Sequence, residues 1–368
     1  MNVRNFRKIE WWIPLCAIIL CGIGLVALFS ASYDSGLDEF KKQAMWMGIS
    51  IGIMVVVMLI DYKILIKLSP ILYGIAILSV IAVLFTKPIS GARSWFVIGN
   101  DLFSFQPAET AKVFVILFLA YVISTIQRNG RDEINKIPKL ALILLTIAVP
   151  VLLIIIEPDY GTATAYIIAF LVMIFVAGID KKYIISAIAL VIIEVPLIYN
   201  FILPQHAKSR IDTFLHPESD PKGAGYNILQ SKLAIGAGEI TGMGVLNGNQ
   251  TQLGYLYPKT TDFIFSVIGE EMGFVVACSV IILNVIIITK SIQVAKGIKD
   301  DAGAYVAAGI AGIFLFHTRE NIGMTMGLLP ITGVPLLFVS YGRKFNDDEF
   351  LVFRNSTKYK QSKKKWNV

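Results

Sequence analysis

Long apolar runs separated by short polar stretches divide this chain almost from end to end. About 20 consecutive apolar residues cross the hydrocarbon core of a bilayer, and nine runs have roughly that length. They lie at residues 11–32, 44–61, 66–86, 105–126, 140–157, 162–179, 183–203, 263–289 and 304–328. The pattern predicts an all-α polytopic membrane protein with about nine transmembrane helices and a long loop at residues 204–262.

The composition agrees with a membrane bundle. Of the 368 residues, 55% are hydrophobic and 16% are charged, whereas a soluble domain carries about 25% charged residues. The net charge is +7, but residues 343–368 alone contribute +5, so no nucleic-acid partner is expected. We predict one membrane bundle over residues 1–342 and a disordered basic tail over residues 343–368. The three cysteines lie in apolar runs, which predicts packing roles.

The distribution of basic residues predicts an orientation, because cytoplasmic loops carry an excess of Lys and Arg. Arg4, Arg7 and Lys8 precede the first run, which we interpret as an uncleaved first span that starts inside. The outer segments are then residues 87–104, the turn at 157–161 and the long loop. Nine spans would leave the basic tail outside, against the rule, so either one span is miscounted or a tenth is missing.

One carboxylate stands where a polar, glycine-rich loop gives way to an apolar run. The stretch from Asn247 to Gly273 contains Asp262 at this boundary, with Glu270 and Glu271 about two turns further in. Carboxylates are costly in hydrocarbon and usually mark a functional site there. We therefore interpret Asp262 as the centre of the chemistry.

A second polar group lies at the start of the fourth run. Gly91-Ala-Arg93-Ser-Trp95 leads to Phe105-Gln-Pro-Ala-Glu109-Thr-Ala-Lys112, where Glu109 and Lys112 share a helix face at a spacing of three. Arg93 and Lys112 could offer charge to an anionic head group, with Glu109 orienting Lys112. Alternatively, Glu109 and Lys112 form an ion pair that makes the polar start of the helix tolerable.

Three further segments carry polar candidates. In Glu157-Pro-Asp159-Tyr-Gly-Thr162, Asp159 either faces a polar cavity or caps the next helix. In the long loop, Arg210 and Lys232 are phosphate candidates because of their charge; its glycines are a weaker sign of a phosphate cradle. Apolar positions around Ile228 predict either an interfacial helix or an ordered connection.

The last run ends in a segment dense in Gly and Pro, residues 321–342, which predicts a helix break that lines a cavity or is buried. His317, Arg319 and Glu320 precede the break. Three ionisable groups together favour a cavity lining or pairing among themselves over simple packing. The three histidines show no metal-ligand spacing.

These motifs together resemble the SEDS family (shape, elongation, division and sporulation), over about residues 11–342, and within it the RodA-like elongation branch. The matching segments follow one another in order. They are Gly91–Trp95, Phe105–Glu109, Glu157–Thr162, Asp220–Tyr226, Gln230–Gly236, Asn247–Leu253, Thr261–Phe265, Gly269–Glu271, Asn321–Met324 and Leu329–Gly333. The Gln-Thr-Gln-Leu wording at 250–253 favours the elongation branch.

The resemblance implies a peptidoglycan glycosyltransferase with ten transmembrane helices in the bacterial cytoplasmic membrane. Such a protein polymerises lipid II on the outer face and works with a class B penicillin-binding protein, the transpeptidase. The family's essential aspartate falls on Asp262. Its Glu and Lys at the fourth span fall on Glu109 and Lys112, and its Pro-Asp turn on Asp159. No cofactor is implied, and a need for a divalent cation such as Mg²⁺ is left open.

Two positions depart from the family pattern. The family reads Leu-Pro-Glu-x-His-Thr-Asp before the eighth span, where this chain reads Tyr257-Pro-Lys259-Thr-Thr-Asp262 and lacks both the Glu and the His. After Ser340-Tyr-Gly342 the family continues with Gly-Ser-Ser and a tenth helix, where this chain has Arg343-Lys344 and a polar tail. We therefore expect the tenth helix to be lacking.

In the expected reaction, Asp262 is the general base that takes the proton of the acceptor hydroxyl. Arg210, Lys232, Arg93 and Lys112 are candidates to hold the diphosphate leaving group. Two other functions fit the residues. A flippase for lipid-linked precursors would use Glu270, Glu271, Arg319 and Glu320 along a path, and an inactive truncated homologue would act only as a scaffold.

Overall fold

The computed structural model describes residues 10–59, 61–87, 93–98, 103–197, 205–220 and 223–342, and the tail at 343–368 lies outside them. The chain folds as a helical bundle with one short antiparallel hairpin. Its helices are α1 (Trp12–Ala31), α2 (Asp38–Leu59), α3 (Tyr62–Val83), α4 (Pro107–Gln127), α5 (Ile137–Ile156), α6 (Tyr160–Ala177), α7 (Lys181–Leu197), α8 (Gln205–Leu215), α9 (Ala224–Ala237), α10 (Asn249–Gln252), α11 (Ile264–Gly297) and α12 (Asp301–Thr325). The hairpin strands are β1 (Phe96–Ile98) and β2 (Phe103–Phe105).

Each of the nine apolar runs coincides with a long helix: α1 to α7, α11 and α12. Seven of these are long and apolar enough to cross a membrane, counted over the described residues. The all-α polytopic fold class is therefore confirmed, and the protein is a multi-pass membrane protein.

Several helices begin where the sequence supplies a capping group. Asp159 caps α6, accepting a hydrogen bond from the N–H of Thr162, and Asp300 caps α12 by the N–H of Gly303 at 3.0 Å. Pro107 occupies the first turn of α4, where its missing N–H costs nothing. Local chemistry thus sets where these membrane helices start.

Helix α12 lies in the centre of the bundle and packs on α4, α6 and α11, and α1 packs on α11. Small residues permit the closest approaches. A Cβ on Gly312 would stand 2.8 Å from the Cα of Ala169 in α6, and one on Gly309 would stand 2.7 Å from the sulfur of Met173. Small residues at such crossings let membrane helices approach closely enough for dispersion contacts.

Helix α11 is interrupted at Gly273, whose φ of 77° and ψ of −178° are not helical. The interruption divides it into residues 264–272 and 274–297. The segment 238–244 of the long loop replaces the lost helical hydrogen bonds. The N–H groups of Met243 and Gly244 donate to the carbonyls of Glu270 and Glu271, both at 2.9 Å. In return, the carbonyl of Glu239 accepts from the N–H of Phe274 at 2.9 Å.

The glycines of this loop serve the same contact. A Cβ on Gly238 would meet the carbonyl oxygen of Gly269 at 1.8 Å, and one on Gly242 would meet that of Glu271 at 2.3 Å. A Cβ on Gly248 would meet the carboxylate of Glu270 at 2.7 Å. The sequence weakly indicated that these glycines bring the backbone close to phosphate. In the structure, the three glycines bring it close to α11.

The predicted helix around Ile228 is present as α9 and is fastened to the bundle. Ile228 is buried, whereas Leu229 and Leu233 are exposed. The buried hydroxyl of Ser231 lies 2.7 Å from the carbonyl oxygen of Thr325 in α12 and 2.6 Å from the hydroxyl of Ser266 in α11. Within the long loop, α9 therefore bridges the two helices of the bundle centre.

We expect Gly242→Ala to lower the melting temperature more than Gly254→Ala. Both glycines have positive φ, +84° and +75°, so both alanines carry the same backbone strain of roughly 1–2 kcal/mol. Only the alanine at 242 overlaps a neighbour, since nothing lies within 4 Å of a Cβ at 254. Thermal unfolding of the purified protein in detergent measures both. Equal losses would contradict the packing of this loop into the α11 break.

Candidate functional site

The backbone around Asp262 is held from three directions. The carbonyls of three consecutive residues, 260–262, accept hydrogen bonds from the N–H of Tyr341, the hydroxyl of Ser340 and the amide of Asn321, at 2.9, 2.7 and 2.9 Å respectively. Ser340 and Asn321 are buried. The segment that carries Asp262 is thus fixed by Asn321 of α12 and by the far end of the non-helical stretch that follows this helix.

The carboxylate of Asp262 lies beside that stretch. Its Oδ2 is 3.4 Å from the position that a Cβ on Gly333 would take. The side-chain amide of Asn321 joins the two segments, because its nitrogen donates to the carbonyls of both Asp262 and Val334, each at 2.9 Å. A half-buried carboxylate therefore faces a glycine in a segment without regular structure.

The same stretch rests on the start of α6. A Cβ on Gly161 would meet the side chain of Val334 at 2.7 Å and the carbonyl oxygen of Thr332 at 3.2 Å. One turn away, Asp159 accepts from the N–H of Thr162 at 3.0 Å and from the side-chain amide of Gln106 at 2.5 Å. Asp159 therefore caps α6, as one of the two interpretations predicted, and joins it to α4.

A chain of polar side chains connects the stretch after α12 to α4. The ammonium of Lys112 lies 2.8 Å from Glu109 Oε2 and 3.1 Å from His317 Nε2. His317 Nδ1 lies 3.0 Å from the carbonyl oxygen of Pro335. A carbonyl only accepts, so Nδ1 carries the proton, and Nε2 then accepts from Lys112. The predicted ion pair of Glu109 and Lys112 is present, and through His317 it fastens α4 to the segment beside Asp262.

The other cationic candidates lie nearer the surface. Lys232 is exposed on α9, and its Cε would be 2.1 Å from a Cβ on Gly327, which directly follows α12. Arg93 is exposed and donates to the carbonyl of Leu84 at 3.4 Å. Arg210 lies in α8, and its side chain is outside the described part of the structure.

The ionisable residues late in α12 have different partners. His317 contacts Lys112, and the buried carboxylate of Glu320 accepts from the hydroxyl of Thr332 at 3.0 Å, next to Gly333. Arg319 is exposed. His317 thus contacts α4, and Glu320 contacts the segment beside Asp262. That the three groups line a shared cavity or pair among themselves stays a prediction.

Glu270 and Glu271 hold the loop at residues 250–252 in place. The sequence did not indicate this role. Glu270 accepts from the N–H of Gln250 at 2.6 Å and from the N–H and hydroxyl of Thr251 at 3.0 and 2.6 Å. Glu271 accepts from the hydroxyl of Ser30 and the amide of Gln252, both at 2.8 Å. Both glutamates are fully buried, so these contacts offset much of the cost of burying polar groups, although Oε2 of Glu271 has no hydrogen-bond partner among the described residues.

Glu157, in the turn between α5 and α6, is fully buried, and no described donor makes a hydrogen bond to its carboxyl oxygens within normal geometry. Burial raises the pKa of this carboxyl to about 8, and the charge of Asp159 acts in the same direction. The hydroxyl of Ser94 lies beside it and opposes this shift, while donating to the Glu157 carbonyl at 3.5 Å. The Glu157 carboxyl is therefore protonated, and so uncharged, at neutral pH.

Metal ligands are not clustered in the part of the chain that the structure describes. No group of three or more His, Cys, Asp and Glu side chains is placed there to hold an ion. Asp262 supplies a half-buried carboxylate on a fixed backbone, which suits proton transfer from a hydroxyl. The exposed ammonium of Lys232, near the end of α12, suits binding of an anionic group.

We expect the melting temperature to fall between pH 4.5 and 8, and Glu157→Gln to make that fall shallower. The unfolded chain releases the Glu157 proton near pH 4.5, whereas the folded protein retains it to about pH 8, so rising pH favours unfolding across this window. Thermal unfolding in detergent at several pH values measures the slope. Asp132→Asn, at an exposed position in the turn before α5, is the matched control and should leave the slope unchanged. An unchanged slope in Glu157→Gln would contradict the burial of a neutral acid.

Comparison with known proteins gives a family match over almost the whole described chain. The model of the cell cycle protein family FtsW/RodA/SpoVE matches residues 10–343. The peptidoglycan glycosyltransferase MrdB of Escherichia coli is 36% identical over 334 residues, which cover 89% of this chain and 88% of MrdB.

Two solved structures share the fold. A chain from a structure described as "Structural coordination of polymerization and crosslinking by a peptidoglycan synthase complex" superposes with a TM-score of 0.79, at 24% identity, covering 97% of this chain and 99% of that chain. The rod shape determining protein RodA of Thermus thermophilus superposes with a TM-score of 0.69, at 23% identity, covering 98% and 99%.

Proposed function

The chain belongs to the FtsW/RodA/SpoVE family of cell cycle proteins, and from that premise we propose that it is a peptidoglycan glycosyltransferase that polymerises lipid II. The observation that carries this proposal is the environment of Asp262. Its backbone is fixed by three hydrogen bonds, while its half-buried carboxylate lies beside Gly333, a residue without a side chain. A positioned carboxylate of this kind suits a general base.

The reaction joins two sugars at the expense of a bond to phosphate. The 4-hydroxyl of the acceptor attacks the anomeric carbon of the donor, and Asp262 takes the hydroxyl proton as the new C–O bond forms. The bond from the anomeric carbon to the diphosphate breaks, and the lipid diphosphate leaves with the electron pair. No separate acid is required, because diphosphate is stable as an anion.

The leaving diphosphate needs positive charge close to it. We assign this role to Lys232, which is exposed above the end of α12, together with Arg93 and Arg210. Glu109, Lys112 and Asp159 complete the site that we propose. Lys112 is buried against Glu109 and His317, so it supports the site from within the bundle.

We further propose that the site faces the outside of the bacterial cytoplasmic membrane. The basic positions Lys63, Arg131, Lys136 and Lys181 lie at the ends of spans opposite to those that carry Asp159 and Asp262, which supports this orientation by the positive-inside rule. The partner would be a class B penicillin-binding protein, since one structural neighbour comes from a complex that couples polymerisation to crosslinking.

The flippase alternative receives less support from the same contacts. A path for a lipid-linked head group would need ionisable residues that are free to bind it along the bundle. Glu270 and Glu271 are instead buried and engaged with the loop at 250–252 and with Ser30. Their hydrogen bonds are those of structural anchors.

We expect Asp262→Asn to reduce lipid II polymerisation by about 10²- to 10⁴-fold, the usual contribution of a general base. The amide keeps the size of the side chain but cannot take a proton. Gel analysis of glycan strands made by the purified protein with its transpeptidase measures the effect. Asp132→Asn, at an exposed position in the turn before α5, is the matched control. Near-normal activity of Asp262→Asn would remove Asp262 as the base.

We expect Lys232→Met to lower kcat/KM for lipid II by about 10-fold or more, because a hydrogen bond to a charged group contributes about 1.5–3 kcal/mol. Methionine retains an apolar stem over Gly327 and removes the ammonium. Lys42→Met, at an exposed lysine of α2, controls for loss of one positive charge. Equal values for the two variants would exclude Lys232 from the diphosphate site.

A further inference from the structure

Lys259, three residues before the proposed base, makes a contact with an earlier part of the long loop. Its ammonium donates to the backbone carbonyl of Thr251 at 2.8 Å. An uncharged side chain without a donor at this position would leave that carbonyl without the lysine's hydrogen bond. Lys259 therefore makes a specific interaction next to the proposed base.

Thr251 is fully buried and held on its other side by Glu270. Its N–H and its hydroxyl both donate to Glu270 Oε2, at 3.0 and 2.6 Å. Lys259 and Glu270 thus both contact Thr251. Lys259 donates to its backbone carbonyl, and Glu270 accepts from its N–H and its hydroxyl. Their opposite charges also compensate each other across one residue.

These contacts close a ring that contains Asp262. Glu270 belongs to the first part of α11, which starts two residues after Asp262, and Lys259 lies three residues before it. The ring runs from Lys259 through Thr251 and Glu270 along α11 to Asp262 and back along the chain. The three carbonyl contacts at 260–262 hold the same segment from the side of α12.

We propose that Lys259 is a positioning residue for Asp262: with Thr251 and Glu270 it sets where the segment 259–262 lies, and thereby where the carboxylate stands. This inference rests on the proposed function of Asp262 as the base. Lys259 itself acts through the backbone and is not assigned a contact with substrate. Displacing a catalytic group by about 1 Å can lower a rate by on the order of 100-fold.

The test is steady-state polymerisation of lipid II by the purified full chain with its transpeptidase, for Lys259→Met and Lys259→Arg. We expect Lys259→Met to lower kcat at least about 10-fold with KM changed less than about twofold, because the base is misplaced while the substrate contacts remain. Lys259→Arg, which can still donate to the Thr251 carbonyl, should recover most of kcat. Lys42→Met again serves as the control for charge.

A second variant keeps the inference testable if Lys259→Met fails to fold. Thr251→Val keeps the backbone carbonyl that Lys259 uses and removes the hydroxyl that Glu270 binds, so it should lower kcat in the same way with little change in KM. Combining Lys259→Met with Asp262→Asn should give no further loss beyond that of Asp262→Asn alone, because both changes act through one carboxylate.

The outcomes separate this inference from the proposed function. An active Asp262→Asn overturns the function itself. An inactive Asp262→Asn together with an unchanged kcat in both Lys259→Met and Thr251→Val overturns only the positioning role. A rise in KM with kcat unchanged would mean that Lys259 binds substrate instead, and it too would overturn the inference.

Discussion

Every non-helical backbone segment within a membrane bundle must find its hydrogen-bond partners inside the protein, and the site of this chain depends on how that constraint is met. Helix α11 breaks at Gly273, and the carbonyls of Glu270 and Glu271 lose their helical partners. The loop at 238–244 supplies the missing donors and acceptors. Because the exchange is reciprocal, the loop and the helix stabilise each other, and neither can shift alone.

The break also turns the two glutamates of α11 into anchors. Glu270 and Glu271 reach the loop at 250–252, and this loop in turn contacts Lys259, three residues before Asp262. On the opposite side, the stretch after α12 is fixed by Asn321 and by the chain from Lys112 through His317 to Pro335. The carboxylate of Asp262 thus stands between two irregular segments, each fastened to buried helices. Such preorganisation is what a general base requires.

The helices and the position of Asp262 could be predicted because their signals are local. Apolar runs of span length predicted each of the nine long helices found in the described ranges, and the high density of Gly and Pro after residue 325 predicted the end of α12. The contacts that organise the site join residues far apart in sequence, such as Lys112 with His317 and Ser30 with Glu271. No periodicity or spacing encodes such pairs. The glycines of the long loop illustrate the same limit of sequence-based prediction. A glycine is needed wherever the backbone comes close to another group, so the sequence does not reveal whether that group is phosphate or a helix.

Two polar side chains in turns near the proposed site differ in what they cost. Glu157 is buried without a described hydrogen-bond donor to its carboxyl oxygens, a cost that packing elsewhere must offset, whereas the hydrogen bond from Lys259 to the Thr251 carbonyl is favourable. Both occur in turns that hold the proposed site, beside Asp159 and before Asp262. The apolar contacts of a membrane bundle can offset such costs, so the bundle can retain polar groups that hold a backbone segment in a fixed position. In our proposal the value of Lys259 is of this kind, because its contact with the Thr251 carbonyl holds the segment that carries Asp262.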